Sequence, residues 1–385
     1  MKKIVYLQFT NPGGYPPLIH SSRIFAEAGW RVLFLGVLPR GMSRVFAMPE
    51  IENREQRLLN WVGPGWRQKL HYIRYILWSM YICLSQRPVC VYCSDPLSSV
   101  PGLILRKLGF YVVYHEHDSP EPGRENLPNM VVKSRKELLR CASLVIFPNG
   151  KRLEKASNWS ESKANAFVVW NCPSKLELKE LATKTNSVNQ KGILRLYYHG
   201  TWVPDRLPLT IIEAMSRCEA RIELTLVGYT TVGCPDYDSI LSDHAQNLGI
   251  SGQLIFRGSL PTRDDILREC RKQDVGLVLF TGKDWETYAA EMAGASNKPF
   301  DYLSQEVAVV VPRVKEWREL YEDRGCAVNA NVEDPDALAS LFDWLAANPD
   351  KVSEMGKNGR MFIENEWNYE TQFEPVINWI NTHCV

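Results

Sequence analysis

A short stretch in the second half of the chain joins a helix start to a cation. The segment is Ser296-Asn297-Lys298-Pro299, and it precedes "FDYL" and the apolar run "VAVVVP". Ser296 or Asn297 can cap a helix, and Pro299 fits its first turn. Backbone N–H groups at a helix start have no partner within the helix and carry partial positive charge. A lysine placed there therefore favours an anion site.

Two further residues of the second half can hold polar parts of the same ligand. Arg206 stands in a loop between the strand-like segment "ILRLYYHG" and a helical pattern. Its guanidinium fork suits a diphosphate, because two N–H groups match two phosphate oxygens. Asp301 follows Lys298 by three residues and lies on the same helix face, where it could hold the lysine or a ribose hydroxyl.

The first half offers a paired-glycine loop, "TNPGGYPP", after its first strand-like segment. Gly13 and Gly14 would let the backbone approach a ligand closely. The spacing is not G-x-G-x-x-G, and the two following prolines do not suit a dinucleotide loop that enters a helix directly. A ligand-binding loop and a purely structural turn both remain open.

The densest group of titratable residues in the first half is "YHEHDSPEPG", residues 114 to 123, at a strand end. His115 and His117 lie on one face of an extended strand, so a metal is conceivable, but three ligands do not follow from the sequence. A role for His117 in contacting a sugar or handling a proton stands beside a solvated loop or a hydrogen-bonded core histidine.

Composition excludes several classes of protein. The chain has 385 residues, with 45 Lys and Arg against 44 Asp and Glu, which argues against nucleic-acid binding by bulk charge. The apolar part of "MKKIVYLQFT" is too short for a secretory leader, so we expect a cytoplasmic protein. Ten cysteines are expected as buried thiols, and Cys90 and Cys93 point to opposite faces of a strand, which disfavours zinc.

Strand-like and helical segments alternate along the whole chain, as in doubly wound parallel sheets. Predicted strands of the first half are "KKIVYLQF", "WRVLFLG", "VCVYCS", "FYVVYHEH" and "SLVIFPN", with helices at residues 20–28, 67–84 and 97–108. Those of the second half are "ILRLYYHG", "IELTLVGY", "QLIFRG", "VGLVLF", "VAVVVP" and "CAVNA". The polar segment 183–192 is predicted to link a domain of residues 1–185 to one of residues 186–385. We expect a cleft between the two Rossmann-like domains, and a final helix that packs back toward the first.

From Ile193 to about Trp379 the chain resembles the retaining, nucleotide-sugar-dependent glycosyltransferases of the GT-B fold, specifically glycosyltransferase family 4. That family opens its second domain with a strand, Gly-Arg, and a Lys six residues after the Gly. Here Gly200 is followed by Thr201, and Arg206 takes the Lys position. His117 matches the His-Asp that the family places near the donor sugar.

The chain departs from the E-x7-E motif of this family. The second Glu aligns with Asp301, which the resemblance assigns to the ribose, whereas the first falls on Ala293. Glu291 and Glu286 are the two candidates to replace it.

The resemblance implies a hexosyltransferase-like enzyme of surface polysaccharide biosynthesis. Lys298, Arg206 and the helix start would clamp the diphosphate of a nucleotide sugar, with no mandatory metal and no other cofactor. An acceptor hydroxyl, lipid-linked or on a saccharide, would attack with retention, and the first domain would bind that acceptor. The alternatives are a nucleotide-sugar 2-epimerase of the same fold and a binding subunit without turnover, the latter favoured by Thr201 and Ala293.

The segment "WVGPGWRQKLHYIRYILWSMYICLSQRP", residues 61–88, mixes aromatic and basic residues with an apolar stripe. It falls short of the roughly 18 apolar residues of a spanning helix. Such a composition suits peripheral contact with the inner face of a membrane. The amphipathic pattern by itself more often indicates a helix whose apolar face packs on the first sheet.

Overall fold

The computed structural model describes residues 1–38, 48–117, 127–178 and 192–384. The chain forms two compact units, Met1–Ser174 with Tyr369–Val385, and Lys175–Asn368. Each unit is one parallel sheet covered by helices, because strands and helices alternate and every strand returns through a crossover. The predicted linker 183–192, except Gly192, and the predicted loop 118–123 lie outside the described residues.

The first unit contains a seven-stranded sheet in the order β3-β2-β1-β4-β5-β6-β7. Its strands are β1 (Lys3–Leu7), β2 (Arg31–Val37), β3 (Arg54–Leu59), β4 (Cys90–Ser94), β5 (Val112–His115), β6 (Leu144–Phe147) and β7 (Asn165–Val168). Its helices are α1 (Pro16–Glu27), α2 (Trp66–Gln86), α3 (Ser99–Lys107), α4 (Asn129–Cys141), α5 (Gly150–Ser160) and α14 (Tyr369–His383). The order of strands reverses between β1 and β4, which is where ligands bind in open sheets of this kind.

The second unit contains a six-stranded sheet in the order β10-β9-β8-β11-β12-β13. Its strands are β8 (Ile193–Trp202), β9 (Arg221–Thr230), β10 (Leu254–Gly258), β11 (Val275–Leu277), β12 (Ala308–Pro312) and β13 (Ala327–Ala330). Its helices are α6 (Thr210–Arg217), α7 (Tyr237–Asn247), α8 (Arg263–Cys270), α9 (Trp285–Met292), α10 (Asn297–Ser304), α11 (Lys315–Trp317), α12 (Pro335–Ala347) and α13 (Pro349–Asn365). Here the order of strands reverses between β8 and β11.

The last helix belongs to the packing of the first unit. The Arg23 guanidinium of α1 donates to Ser174 at 2.9 Å and pairs with Glu370 of α14. Phe373 of α14 is fully buried, and its ring meets that of Phe25 edge to face. Residues from the two extremes of the first unit therefore share one core.

The predicted Rossmann-like sheets are confirmed, and every predicted strand is present. Three details of the first unit differ from prediction. The strands β3 and β7 were not predicted, so the strand that carries the histidines is the fifth rather than the fourth. Helix α1 begins at Pro16 instead of His20, with both prolines in its first turn.

The two cysteines of the C-x-x-C segment lie in β4, and all ten cysteines of the chain are free thiols. Cys93 packs tightly against α3, because a Cβ on Gly102 would lie 2.7 Å from its Sγ. Across the described ranges, no helix is long and apolar enough to span a lipid bilayer.

Candidate active site

The end of β8 and the start of α10 meet where the second sheet reverses its strand order. Gly200 of β8 has a φ of 125°, a conformation that favours glycine. A Cβ on Gly200 would lie 3.1 Å from Cε of Lys298 and 3.3 Å from its Nζ. The missing side chain therefore leaves room for the lysine to lie directly over the backbone of β8.

A second glycine fixes this close approach. Gly228 of β9 pairs with Gly200 across the sheet and has a φ of 147°. A Cβ on Gly228 would lie only 1.8 Å from the carbonyl oxygen of Gly200, which no side chain tolerates. Glycine at both positions is thus a steric requirement of the local strand geometry.

The Lys298 ammonium lies in a partly desolvated position, 5.3 Å from the centre of the Tyr198 ring. Burial lowers the pKa of Lys298 to about 7, and the positive charge of Arg206 acts in the same direction, while Asp301 opposes both. An anion at Nζ would restore the protonated form. The lysine is therefore suited to bind a negatively charged group.

The positive charge of Arg206 acts on Lys298, and the Arg206 side chain contacts Tyr288 of α9. Its Nη2 donates to Tyr288 Oη at 2.6 Å, and the guanidinium lies 5.9 Å from the centre of the same ring. Tyr288 could not be predicted as the partner of Arg206, because no local pattern connects two residues so far apart in the chain. The structure thus places both predicted cations in one region of the second unit.

The start of α10 agrees with prediction in position but not in capping. Ser296 occupies the N-cap and Pro299 lies in the first turn, with Asn297 as the first helical residue. The expected side-chain capping is wrong for the described residues, because the Ser296 hydroxyl makes no such bond. Thr201 is nearby in β8, and its carbonyl accepts a hydrogen bond from Tyr198 Oη at 2.8 Å.

The structure revises the expectation for Asp301. The residue is 1% exposed, and Arg263 of α8 donates to its two oxygens at 2.6 and 3.2 Å. Nε2 of His199 lies 3.3 Å from the same carboxylate. Asp301 therefore pairs with Arg263 in preference to Lys298, and its contact with a ribose hydroxyl stays a prediction.

The Arg263 network was not predicted, because its members come from separate segments. Arg263 also donates to Glu177 at 2.5 Å, so it joins two carboxylates. Burial acts to raise the pKa of Asp301, but the charge of Arg263 and the contact with His199 outweigh it and hold that pKa below its usual value. Burial lowers the pKa of His199. The network fixes α10, and with it Lys298, relative to β8 and α8.

The two candidates for the missing acidic residue lie on α9. Glu286 is exposed in the first turn of this helix, and Glu291 is partly buried in its last turn. Ala293, at the position of the missing Glu, is buried at the C-cap. The choice between Glu286 and Glu291 stays a prediction.

In the first unit, Gly13 and Gly14 lie in a short 3₁₀ turn, Pro12–Gly14, after β1. Asn11 caps this turn by accepting from the backbone N–H of Gly13 at 3.4 Å. The turn leads through Tyr15 into α1, whose first two residues are the two prolines. Their fixed φ suits the first helical turn.

His115 and His117 lie together at the end of β5, with ring centres 3.7 Å apart. His115 Nδ1 is 2.5 Å from Tyr92 Oη. Both ring nitrogens of His117 are buried without a hydrogen-bond partner among the described residues. Burial lowers the pKa of His117 to about 3, so its ring is neutral at physiological pH.

Asp95, which follows β4, positions the His117 backbone and was not singled out from sequence. Its Oδ1 accepts from the His117 backbone N–H at 2.9 Å, and its Oδ2 from Gln8 at 3.3 Å. Glu116 points elsewhere and forms a buried ion pair with Arg135, with contacts of 2.7 and 2.8 Å. The carboxyl edge of the first sheet thus carries a polar cluster of the buried Gln8, His115 and His117 with the half-buried Asp95.

Within the part of the chain that the structure describes, no three His, Cys, Asp or Glu side chains form a metal-binding group. That no metal is mandatory stays a prediction, since residues 118–126, which follow His117 directly, lie outside the described residues.

Residues 210–378 match the sequence profile of a family described as glycosyl transferase-like. This match includes α9 and α10 with Lys298, but not Gly200 or Arg206. No curated protein shows significant sequence similarity to the chain.

Solved structures with the same fold cover almost the entire chain. The crystal structure of Anabaena Alr3699/HepE in complex with UDP and glucose has a TM-score of 0.73 at 16% identity, over 99% of this chain and 100% of that one. Sucrose-phosphate synthase from Thermosynechococcus elongatus has a TM-score of 0.74 at 15% identity, over 99% of each chain. WaaG, a glycosyltransferase involved in lipopolysaccharide biosynthesis, has a TM-score of 0.67 at 11% identity, over 98% and 99%. The chain thus has the fold of the GT-B glycosyltransferases, as predicted.

Proposed function

We propose that this protein is a glycosyltransferase that uses a nucleotide-diphosphate sugar. Lys298, Arg206 and the start of α10 bind the diphosphate of the donor. The observation that carries this proposal is the position of Lys298, whose Nζ lies over the bare backbone of Gly200 with a pKa near 7. A desolvated lysine at a switch point is matched to a phosphate ligand.

Similar structures support a uridine nucleotide as the first donor to test. Anabaena Alr3699/HepE was solved with UDP and with UDP-glucose, and its fold extends over both units of this chain. We propose UDP-hexose as the donor class. The backbone of Gly200 and Thr201 would lie next to the phosphates, and Ser296 and Asn297 would present the first N–H groups of α10.

We propose a retaining reaction. The bond between the sugar C1 and the phosphate oxygen breaks, and the two cations stabilise the charge that develops on the leaving diphosphate. The acceptor hydroxyl forms the new bond to C1 on the same face. Its proton passes to the departing phosphate, so no separate pair of carboxylates is required.

The first unit would bind the acceptor, on a saccharide or a lipid-linked carrier used in surface polysaccharide synthesis. The feature that supports a sugar ligand there is the cluster of Gln8, Asp95 and His117. A neutral His117 can donate one hydrogen bond and accept another, which matches a sugar hydroxyl. Gly13 and Gly14 lie on the same edge of the sheet, in the turn after β1.

Calorimetric titration with UDP, GDP, ADP and CMP tests the donor site. We expect one nucleoside diphosphate to bind selectively to the wild-type protein and Lys298→Ala to weaken this binding at least about tenfold, because one charge-assisted contact is lost. Lys283→Ala removes an exposed lysine of the same unit and serves as the matched control. It should bind like the wild type.

The chemistry is tested with the selected nucleotide sugar. Slow release of the nucleoside diphosphate that disappears in Lys298→Ala supports the transferase. Isomerised sugar would instead identify an epimerase. If the protein binds the nucleotide tightly but catalyses neither reaction, whether or not saccharides are added, the result would favour the binding subunit suggested by Thr201 and Ala293. Equal nucleotide affinity in wild type and Lys298→Ala would refute the proposed site.

A further inference from the structure

Helix α2 is apolar on two opposite faces, and only one of them is buried among the residues that the structure describes. One face packs on the first sheet, where Tyr75 is fully buried and donates to the Leu35 carbonyl at 3.2 Å. The other face carries large apolar side chains that are between 49% and 68% exposed. These residues are Trp66, Leu70, Ile73, Leu77, Tyr81 and Leu84, which we call the outer stripe.

The outer stripe is continuous along the helix. At about 100° per residue, its six side chains fall within an arc of about 80°, and the stripe is about 27 Å long. Single exposed apolar residues are ordinary, but an aligned row of six in a folded protein indicates a binding surface. The stripe therefore calls for an apolar partner.

Charges border this stripe on both sides. Lys69 lies on one side of the arc, and Arg67 and Arg74 lie on the other, all three exposed. The sequence from residue 56 to residue 94 contains no Asp or Glu. A second copy of the same helix would bring like charges together, so the surface is not complementary to itself. An anionic partner with an apolar interior satisfies both features.

The aromatic side chains of the stripe suit the interface between water and lipid. Trp66 begins the helix and Tyr81 lies in its last third, and such rings prefer the headgroup level of a bilayer. Cations beside the apolar row would lie among anionic headgroups, each contributing to binding.

The first half of α2 lies at the carboxyl edge of the first sheet. Tyr72 donates to the carbonyl of Leu97, just after β4, at 2.7 Å. Its ring also meets Phe9, just after β1, with centres 4.9 Å apart. A surface bound by the outer stripe would therefore lie next to the carboxyl edge of the first sheet, where the turn with Gly13 lies.

We propose that the outer stripe of α2 docks on the surface of an anionic lipid bilayer, with the helix lying in the plane of the interface. This inference does not depend on the proposed transferase function. It resolves the two interpretations of residues 61–88 by assigning each to its own face of one helix.

Vesicle flotation with the full-length protein tests this docking. Vesicles of phosphatidylcholine are compared with vesicles that also contain about 30% phosphatidylglycerol. We expect the wild type to float with the anionic vesicles, and Leu70→Gln/Leu77→Gln to reduce its partitioning at least about tenfold, because two leucines no longer insert. Lys69→Gln/Arg74→Gln should reduce the preference for anionic over neutral vesicles.

The matched control is Val232→Gln/Ile240→Gln, which changes two exposed apolar residues of the second unit. It should float like the wild type. Circular dichroism confirms that all variants are folded. Equal flotation of the wild type and Leu70→Gln/Leu77→Gln, or no flotation of the wild type, overturns the proposal. Light scattering that shows a wild-type dimer, converted to monomer by Leu70→Gln/Leu77→Gln without any vesicle binding, overturns it as well.

Discussion

Individual residues show which parts of a site a sequence can predict. Lys298 and Pro299 were found because helix-start chemistry is local, and Arg206 because it follows a strand end. Asp301 was singled out, but its ion pair with Arg263 was not predicted, since Arg263 lies in another helix. Partners that come from distant segments have no local signal, and this also explains why Tyr288 and Asp95 were missed.

The lowered pKa of Lys298 predicts a pH dependence of nucleotide binding. In the protein without ligand, burial lowers the pKa of Lys298 to about 7. A bound diphosphate raises this pKa, because it favours the charged form. Affinity for UDP should therefore fall as the pH rises from 7 to 9, by up to about tenfold per unit. Calorimetry in buffers of different ionisation enthalpy should show proton uptake on binding at pH 8.

Uridine provides the matched ligand for this experiment, because it has no phosphate. Its affinity should not change over the same pH range. Lys298→Met should bind UDP weakly and without the decrease above pH 7. A decrease that persists in Lys298→Met would assign the titration to another group.

At the level of elements, the sequence predicted the five buried strands of the first sheet and missed its two partly buried edge strands. The strand β2 is a continuous apolar run, whereas β3 ("REQRLL") and β7 ("NAFV") lie at the two edges of the sheet and are only partly buried. Edge strands need no apolar pattern on both faces, so their position depends on pairing with a neighbour.

The pairing of β8 and β9 predicts a large effect of a small substitution. Gly228→Ala places a methyl group in the position of the Gly200 carbonyl oxygen and forces alanine to a φ of 147°. We expect a loss of about 3 kcal/mol or more in the free energy of unfolding, together with loss of nucleotide binding. Urea unfolding and calorimetry measure the two effects.

Gly252→Ala is the control for this substitution, because no atom lies within 4 Å of the added Cβ. It should change stability by less than about 1 kcal/mol. A stable Gly228→Ala protein that binds nucleotide normally would show that the two strand ends can separate without cost to the site.

For the whole molecule, the notable feature is that the first unit is built from two separated parts of the chain. The backbone N–H of Tyr369 bonds the carbonyl of Pro173 at 2.8 Å, which joins α14 to the end of the first part. Neither hydropathy nor motif spacing ranks this contact above others, since it links residues almost two hundred positions apart.

This arrangement predicts that a change in α14 destabilises the first unit specifically. Phe373→Ala removes a ring that packs against Phe25, at a cost of about 3 to 5 kcal/mol. Hydrogen exchange measured by mass spectrometry should become faster in peptides of β1 and β4 and stay unchanged in peptides of β8 and β11. Phe342→Ala, in the core of the second unit, should show the reverse pattern.

The position of α14 also has a consequence for synthesis on the ribosome. The second unit, Lys175–Asn368, is complete before Tyr369–Val385 are translated, whereas the first unit still lacks its last helix. At a translation rate of about 5 to 20 residues per second, that helix is synthesised roughly 10 to 40 s after Ser174. Until then, Phe25 lacks its contact with Phe373. The unit whose translation begins first is therefore completed last, and during this interval its apolar surface under the missing helix is exposed to aggregation.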